Sequence, residues 1–568
     1  MHFVKKVPTT AQEKALKEKE RSIKLKSFCQ LRDKIFAKRA LGEYDEEILN
    51  LCEAILAKNP DIYTLWNIRR ETLEKLKERC YAGDEDAAYM ERIYLNELGL
   101  TEQCIKANPK SYSAWFQRSW ILNRQASPDL KKELNLCELA LKMDCRNFHC
   151  WDHRRIVARM TKLTDEEELT FSQKLVADNF SNFSAWHMRM NLIPRVEDAN
   201  SREKLMRLED AKEEIKRVAN AIFTDPEDQS AWMYARWIID LYSPSSFLNE
   251  ESSCPIVPLS ASIDSNLLIV VFTRSTTLEN VVTFFRRIPL DSKWRSVSRF
   301  SAESSRAWEC SLEGSANVEI SKDGTHFETL TKFARMDLYK RIFCGGSVEI
   351  IDSVRAHCEE LMLEEKNNSS ALLTVTQCLR LTSPFESHSV IIHNLDRLAT
   401  TLDPLRANMY KSFASHERLR YALLSKVEGE ISNRLESILN GEGRIALTYL
   451  KIDELHNIDL LAPFIAEIDL RGNSLMDVSE VVLLPLLTSL SMDENPIEKV
   501  PSSLSSLSRL EFISAASTCL SDSVTVGITL QSCPNLRRFL YCQTPLVNET
   551  ANLRLSLGEK VRLIPYYL

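Results

Sequence analysis

Residues 108–120 read Asn-Pro-Lys-Ser-Tyr-Ser-Ala-Trp-Phe-Gln-Arg-Ser-Trp, and this stretch decides the fold because its pattern recurs along the chain. Five tryptophans share one context: Asn or Asp lies seven residues before each, and Pro follows three of those five residues. The tryptophans are Trp66, Trp115, Trp151, Trp186 and Trp232. Arg lies three residues after each of the first four, and the fifth copy shifts it by one, to Arg236. Such repetition predicts a repeat architecture.

Each copy of the pattern predicts two helices joined by a turn. The residue before Pro avoids the helical region of backbone space, so Asn-Pro ends one helix, and the Ser or Thr that follows starts the next. Trp and the Arg three residues later then lie on one helix face. Successive tryptophans are 49, 36, 35 and 46 residues apart, which leaves room for one hairpin between each pair. A single hairpin cannot bury its apolar face, so the hairpins must stack.

The composition is that of a globular protein and argues against several functions. Of 568 residues, 44% are hydrophobic and 27% are charged, and the net charge of −7 argues against a nucleic-acid-binding protein. The longest apolar run has six residues, at 267–272, whereas a membrane span needs about 20. The N-terminus has no signal-peptide core. None of the fifteen cysteines forms a Cys-x-x-Cys pair, so we expect free thiols in a cytoplasmic protein.

Residues 243–350 differ in character and predict a β-domain. The apolar run Leu267–Phe272 is a strand candidate, and the pair Asp323-Gly324 lies between two short β-rich segments, which predicts a hairpin. We interpret this region as an immunoglobulin-like β-sandwich. Cys254 and Cys310 lie 56 residues apart, within the range of an inter-sheet bridge, but a reducing compartment favours two thiols.

Leucine-rich repeats are predicted near the C-terminus. The segment Ile465–Leu475 fits the repeat template with Asn473 at the turn position, and Leu487–Ile497 fits it again 22 residues later. Weaker copies are expected to begin at Leu447 and Leu536. An asparagine side chain normally satisfies backbone groups in such a turn, so the weaker copies need another source of support.

These observations predict a multidomain, mainly α-helical chain with four parts. Helical hairpin repeats occupy residues 1–242, and the immunoglobulin-like β-sandwich occupies 243–350 as an insertion. Helices at 351–440 are expected to rejoin the helical domain, and the leucine-rich repeat domain occupies 441–568. Periodicity alone is also compatible with a helical-repeat scaffold of the tetratricopeptide kind, which binds proteins and has no catalytic role.

The details of the repeat favour an enzyme subunit instead. Tetratricopeptide repeats keep a 34-residue period and lack the Trp-x-x-Arg core, whereas residues 108–120 closely resemble the repeat of protein prenyltransferase α subunits. Two further stretches carry the same resemblance, Asn59–Arg70 and Asn147–Arg155. With the β-sandwich and the leucine-rich repeats included, the whole chain is similar to α subunits of the Rab geranylgeranyltransferase (type II) class. The α subunits of enzymes that modify CaaX peptides resemble the helical part only and remain an alternative.

The resemblance implies a function that needs a second chain. The α subunit is expected to wrap, as a crescent of helix pairs, around a β subunit that binds the catalytic zinc through Asp, Cys and His. The enzyme would transfer geranylgeranyl from geranylgeranyl diphosphate to C-terminal cysteines of Rab GTPases, presented by a Rab escort protein. No stable membrane insertion is expected.

The resemblance also points to site residues in this chain. Lys110 matches the family lysine that reaches the diphosphate, Tyr112 matches the neighbouring tyrosine, and His149 matches a histidine near the leaving group. Preorganised donors at that place lower the barrier to departure of the diphosphate. Phe148 stands where farnesyltransferases have tyrosine, so one hydroxyl donor is missing here. His2 is a candidate regulatory ligand that would occupy the open position on the zinc of the β subunit.

Overall fold

The fold is described from a computed structural model of the chain. The structure describes residues 11–82, 87–196, 208–241, 256, 258–264, 266–288, 292–298, 303–312, 318–322, 326–330, 333–334, 348–425, 434–439, 441–558 and 560–565. The chain divides into two compact units, Met1–Arg189 and Met190–Leu568. Across the described ranges, no helix is both long enough and apolar enough to cross a membrane.

The first unit is built from helices. They are α1 (Ala11–Ala40), α2 (Glu46–Leu56), α3 (Tyr63–Ala82), α4 (Ala87–Ala107), α5 (Tyr112–Leu122), α6 (Leu130–Met143), α7 (Phe148–Thr161), α8 (Asp165–Asp178) and α9 (Phe183–Val196), the last of which runs into the second unit. Polar caps fix several helix starts: Asp45 accepts a hydrogen bond from the backbone N–H of Ile48 at 3.0 Å, and Thr164 and Glu167 form a capping box. The predicted hairpins are confirmed, because each repeat tryptophan of this unit lies in the second helix of a pair.

Most helices of the second unit lie in two stretches of the chain, at 208–241 and 348–439. The helices of this unit are α10 (Leu208–Thr224), α11 (Gln229–Leu241), the short α12 (Leu278–Thr283), α13 (Val348–Glu364), α14 (Ser369–Thr382), α15 (His388–Arg397), α16 (Ala407–Leu424), α17 (Arg434–Leu439), α18 (Ser523–Ser532) and α19 (Thr550–Leu557). Lys212 of α10 pairs with Glu349 of α13 at 2.7 Å, and Gln377 of α14 donates to Asp240 of α11 at 2.8 Å. Helices α13 and α14 thus pack on α10 and α11.

Two antiparallel sheets occupy the segment between these helices. The strands are β1 (Pro258–Asp264), β2 (Leu267–Thr277), β3 (Phe285–Arg286), β4 (Lys293–Val297), β5 (Ser304–Ser311), β6 (Glu319–Ser321), β7 (Phe327–Thr329) and β8 (Phe333–Ala334). One sheet has the order β4-β5-β2-β1-β8 and the other the order β3-β6-β7. The strands on either side of Asp323-Gly324 pair as predicted, with Ser321 opposite Phe327, while the turn itself lies outside the described residues. Cys310 is a buried free thiol, and Cys254 also lies outside the described residues.

The predicted strand at Leu267–Phe272 is confirmed, and its continuous apolar character has a structural cause. Leu268, Val270 and Phe272 point into a core shared with the three-stranded sheet. Ile269 and Val271 point the other way, into the core of the C-terminal segment. A strand that is buried on both faces is apolar at every position.

The C-terminal segment forms a parallel sheet. Its strands are β9 (Arg444–Ala446), β10 (Glu467–Asp469), β11 (Ser489–Ser491), β12 (Phe512–Ser514), β13 (Arg538–Leu540) and β14 (Arg562–Ile564), and they lie side by side in chain order. The central residue of each strand points into the core, and these residues are in register: Ile445, Ile468, Leu490, Ile513, Phe539 and Leu563.

Asparagine side chains close the turns of this sheet where the template predicts them. The amide of Asn473 donates to the carbonyls of Leu447 and Leu470 at 2.7 and 2.8 Å, and its oxygen accepts from the N–H of Leu450 at 2.9 Å. The prediction that a copy begins at Leu447 is wrong. Ile445 pairs with Ile468, so Leu447 takes the position that Leu470 has in the next copy.

A salt bridge and a shared core join the five-stranded sheet to the parallel sheet. Arg306 of β5 makes two hydrogen bonds to Asp459, at 2.7 and 2.6 Å, and a third to Asn457 at 3.1 Å. Leu259 and Ala307 belong to the same apolar core as the central strand residues of the parallel sheet. The inserted β-region therefore packs on the C-terminal segment.

Candidate functional site

The repeat tryptophans close the turns that precede them. Each indole N–H donates to the backbone carbonyl six residues earlier, at 2.8 or 2.9 Å. The pairs are Trp66 with Pro60, Trp115 with Pro109, Trp151 with Cys145, Trp186 with Phe180 and Trp232 with Pro226. Tryptophan supplies a large apolar body and one N–H donor, which explains why this position recurs.

Three of these carbonyls also accept a hydrogen bond from the next hairpin. Ser111 donates its hydroxyl to the Pro60 carbonyl at 3.3 Å, and Asn147 donates its amide to the Pro109 carbonyl at 2.9 Å. In the second unit, Asn368 donates to the Pro226 carbonyl at 2.8 Å. Each donor is the N-cap of the helix that follows it, so one side chain starts a helix and joins two turns.

Three of the repeat arginines form buried ion pairs inside the first unit. Arg118 makes two hydrogen bonds to Glu133, at 2.8 and 2.6 Å, and Arg154 donates to Glu168 at 2.6 Å. Arg69 pairs with Glu97 in the same way. These arginines are therefore structural residues, as expected for a side chain that lies beside a core tryptophan.

In the fifth copy, Arg236 forms no such ion pair within the described part of the chain. The hydroxyl of Tyr234 instead donates to Glu214 at 2.8 Å. One guanidinium nitrogen of Arg236 is buried and has no hydrogen-bond partner among the described residues. Burial lowers the pKa of this side chain.

The structure brings Lys110, Tyr112 and His149 together at one edge of the first unit. Lys110 and Tyr112 lie at the start of α5, and His149 lies in the first turn of α7. The rings of Tyr112 and His149 meet edge to face with centroids 4.2 Å apart, and Phe148 lies 4.0 Å from His149. Three residues that are distant in the sequence therefore form one cluster, here called the α5–α7 edge, together with Phe148.

The side chains of the α5–α7 edge differ in how much of their surface is exposed to solvent. Tyr112 is 70% exposed and Phe148 is 51% exposed, whereas His149 is 6% exposed and lies beneath the tyrosine ring. The side chain of Lys110 is 70% exposed, and its ammonium lies 3.7 Å from the Asp144 carboxylate. Lys110 and Tyr112 can therefore reach a ligand, while His149 supports Tyr112 from below.

The electrostatics of the α5–α7 edge favour an anion. The N-termini of α5 and α7 both lie here, and a helix N-terminus carries partial positive charge. Lys110 adds a full positive charge. Burial lowers the pKa of His149, and the Asp152 charge and a hydrogen bond with the Lys110 backbone only partly oppose this. The imidazole is therefore neutral at physiological pH.

The described residues offer no donor set for a metal: among them, no group of three or more His, Cys, Asp or Glu side chains is placed to hold an ion. His2 lies outside the described residues. The chemistry at the α5–α7 edge is that of hydrogen-bond donors and one ammonium group.

Two residues at the edge were missed by sequence reasoning. Asn147 is 2% exposed, and besides its bond to Pro109 it accepts hydrogen bonds from the N–H groups of His149 and Cys150, at 3.1 and 3.3 Å. Asp144 is the partner of Lys110. Asn147 immediately precedes a helix of the repeat, so its position predicts an N-cap. The position does not predict the hydrogen bond to the neighbouring hairpin.

Comparison with known proteins assigns the family. Five segments match the protein prenyltransferase alpha subunit repeat, at residues 45–76, 94–125, 130–161, 165–196 and 211–242. Geranylgeranyl transferase type-2 subunit alpha of Homo sapiens is 31% identical over 573 residues, which cover 96% of this chain and 92% of the relative. The protein of that name from Dictyostelium discoideum is 38% identical over 247 residues, which cover 42% of this chain and 75% of the relative.

A solved structure, Candida albicans protein geranylgeranyltransferase-I complexed with GGPP, aligns with a TM-score of 0.40 at 17% identity and covers 69% of this chain and 91% of that chain. On the repeats and the full-length relatives, the chain belongs to the family of geranylgeranyl transferase type-2 α subunits. It is therefore a subunit of a protein prenyltransferase.

Proposed function

We propose that this chain works as the α subunit of a heterodimeric Rab geranylgeranyltransferase. The enzyme transfers geranylgeranyl from geranylgeranyl diphosphate to C-terminal cysteines of Rab GTPases that a Rab escort protein presents. The observation that carries the proposal is the convergence of Lys110 and Tyr112 above His149 in a chain of this family. The α5–α7 edge is the part of the chain that takes part in the reaction.

The reaction generates charge where the α5–α7 edge can stabilise it. A cysteine sulfur forms a bond to C1 of the isoprenoid, the bond from C1 to oxygen breaks, and its electron pair leaves with the diphosphate. Two unit charges about 4 Å apart interact by about 4 kcal/mol at an effective dielectric constant near 20. Only the part of that interaction that grows in the transition state speeds the reaction. Lys110 supplies the charge.

Tyr112 and His149 have different tasks in this proposal. The Tyr112 hydroxyl has no hydrogen-bond partner among the described residues, so it is free to donate to a diphosphate oxygen. His149 acts through Tyr112, because its buried ring holds the tyrosine in place. Tyr112 is therefore a catalytic residue and His149 a positioning residue.

We also propose a domain for each of the other parts of the chain. The sheets at 243–350 form an immunoglobulin-like insertion, and 441–568 form leucine-rich repeats with one strand per turn. The helical domain comprises residues 1–242 together with helices at 351–440. All thirteen described cysteines are free thiols, which favours work in the reducing cytoplasm.

The zinc of the family is assigned to the β subunit, and His2 is its candidate regulatory ligand from this chain. We expect His2→Ala to raise basal turnover or to weaken its dependence on pH, because the histidine would compete with the substrate thiol. An unchanged rate and pH profile would remove His2 from the regulation.

A transfer assay tests the proposed function. The chain is co-expressed with a candidate β subunit, and incorporation of labelled geranylgeranyl into a Rab is measured with and without escort protein. Transfer that needs both chains and the escort protein supports the proposal. A stable heterodimer that modifies only CaaX peptides moves the chain to the smaller prenyltransferases. Failure to associate with any β subunit leaves a protein-binding scaffold.

A further inference from the structure

The outer face of the six-stranded parallel sheet is not used by the proposed reaction. Each strand places its central residue in the core and its two flanking residues on the opposite, outer face. One row of outer residues crosses all six strands in the order Arg444, Glu467, Ser489, Phe512, Arg538 and Arg562. The neighbouring row ends in Leu540 and Ile564, which are half-buried partners on β13 and β14.

The arginines at the two ends of this face have different neighbours on the adjacent strand. At the β9 end, Arg444 lies opposite Glu467 and forms a salt bridge with it at 2.7 Å. At the β14 end, Arg538 and Arg562 lie directly opposite each other and are both exposed. Neither guanidinium of this second pair has a carboxylate partner within the part of the chain that the structure describes. The Arg538 guanidinium instead lies 4.9 Å from the centre of the Phe512 ring.

Two arginines placed directly opposite each other on adjacent strands repel. Neighbouring strands are about 4.8 Å apart, and like charges at that spacing destabilise a sheet. The same sheet avoids this cost at Arg444 by placing a glutamate opposite it. An oxyanion bound between Arg538 and Arg562 would remove the repulsion, and the planar guanidinium group matches a carboxylate through two parallel hydrogen bonds.

We propose that this arginine face, made of Phe512, Arg538, Leu540, Arg562 and Ile564, binds an acidic segment of a partner protein. Carboxylates of the segment bridge the two arginines. Residues two apart on an extended chain are about 6.7 Å apart, so an apolar side chain two positions from a carboxylate reaches Leu540 or Ile564. The partner segment therefore carries acidic and apolar residues in turn at every second position, as in Glu-x-Leu-x, so that both kinds lie on the face that meets the sheet.

The surroundings favour a peptide over a nucleic acid or a membrane. Glu467 and Asp469 lie on the same sheet face and would repel a polyanion that extends along it. Nucleic-acid binding typically engages about 6–10 phosphates, and attraction to anionic lipid takes clusters of about 4–8 basic residues. The arginine face has only two unpaired cations among its described residues.

Binding of a defined probe tests the proposal. The full-length chain with its β subunit is titrated into a fluorescein-labelled 12-residue peptide in which Glu and Leu take turns at every second position, with Ser between them, and fluorescence polarisation is recorded. We expect saturable binding that weakens as salt rises and that is at least about tenfold weaker in the double variant R538S/R562S. The matched control R444S removes a paired arginine from the other end of the face and should leave affinity within about twofold.

Three results would overturn the proposal. They are no saturable binding, equal binding by the double variant, and equal binding of the same peptide with Gln in place of Glu. Vesicles containing phosphatidylserine are tested in parallel, and arginine-dependent vesicle binding without peptide binding would assign the face to a membrane instead. Urea unfolding shows that the double variant is folded, and we expect no loss of stability because the substitution removes a repulsion.

Discussion

The amide of Asn147 donates a hydrogen bond to the carbonyl of Pro109, 2.9 Å away, and so connects the turn that carries Lys110 to the helix that carries His149. Asn147 also caps that helix through its side-chain oxygen. The relative position of Lys110 and His149 therefore depends on one buried side chain, which reaches the Pro109 carbonyl with its amide and the backbone N–H of His149 with its oxygen.

We expect Asn147→Ala to lower turnover of the heterodimer by about tenfold or more, because small displacements of positioned groups are costly in catalysis. The loss of a cap and of a buried hydrogen bond should also lower the free energy of unfolding by about 2 kcal/mol. Single-turnover transfer and urea unfolding measure the two effects.

Asn368→Ala is the matched control for this prediction. Asn368 caps α14 and donates to the Pro226 carbonyl, so its loss costs comparable stability, but it lies in a different hairpin from Lys110. Equal loss of turnover in the two variants would mean that stability alone, and not the position of the α5–α7 edge, explains the effect.

Lys110→Ala should lower turnover by about tenfold or more while leaving the heterodimer intact, because removal of one transition-state charge donor typically has at least this effect. The side chain is 70% exposed and its ion pair with Asp144 is 3.7 Å long, so little stability depends on it. Steady-state transfer and gel filtration with the β subunit measure the two properties.

Lys106→Ala serves as the control for Lys110, since Lys106 is 75% exposed and pairs with Glu102 within α4. It should leave turnover unchanged. A Lys110→Ala enzyme that is as fast as the Lys106→Ala enzyme would remove Lys110 from the mechanism.

The Arg118–Glu133 pair should make part of the first unit sensitive to acid. Burial alone would raise the pKa of Glu133, but hydrogen bonds from His153 and Arg118 and the Arg118 charge lower the pKa to about 2. A carboxylate with a lowered pKa stabilises the fold above its unfolded pKa near 4.5, and this contribution is lost as the pH falls from there towards 2. Its size is on the order of 3 kcal/mol.

Hydrogen exchange of the α6 and α7 amides, measured between pH 6 and pH 3 and corrected for intrinsic rates, checks this expectation. Protection should fall more steeply in the natural protein than in Glu133→Gln, which has no proton to gain. A constant difference between the two proteins over that pH range would contradict the assignment.

Asn473→Ala should destabilise the parallel sheet by about 3 kcal/mol, because it leaves the buried Leu447 carbonyl and the Leu450 N–H without the partner that Asn473 provides. Asn473→Thr should cost less. The chain itself uses threonine at the corresponding positions of two other turns, where Thr518 donates to the Ala515 carbonyl and Thr544 to the Tyr541 carbonyl, at 2.8 and 2.7 Å.

The urea concentration at which a protease begins to cut within residues 441–565 ranks the two Asn473 variants against the natural protein. If threonine is as damaging as alanine at this position, the turn requires an amide and the threonine turns are supported by something else.

The tryptophan pattern located five hairpins because Trp has both an apolar body and a donor that this turn needs. A sixth copy of the turn escaped notice. Asn368 makes the same bond to a preceding hairpin, but Leu372 stands where the pattern has Trp, and Val375 stands where it has Arg. This copy therefore keeps the hydrogen bond between turns but lacks the tryptophan by which the other five copies were recognised.

The parallel sheet shows the same limit. Its fourth strand, β12, belongs to a copy with Ala515 and Thr518 where the template asks for a large apolar residue and Asn, so sequence reasoning passed over it. The α5–α7 edge was predicted through family resemblance, which named Lys110, Tyr112 and His149. Only the structure shows that Asn147 and Asp144 belong to this edge, because contacts between hairpins leave no local pattern in the sequence.

The shared carbonyls of Pro60 and Pro109 fasten neighbouring hairpins at their turns. Helix length is free to vary away from that edge: α3 and α4 have 20 and 21 residues, whereas α5 has 11. The hydrogen bonds between turns, and not a fixed number of residues per repeat, thus keep the hairpins aligned. An insertion at the far end of a hairpin lengthens two helices yet leaves Lys110 and its neighbours in register, so evolution can remodel one rim of this subunit without disturbing the other.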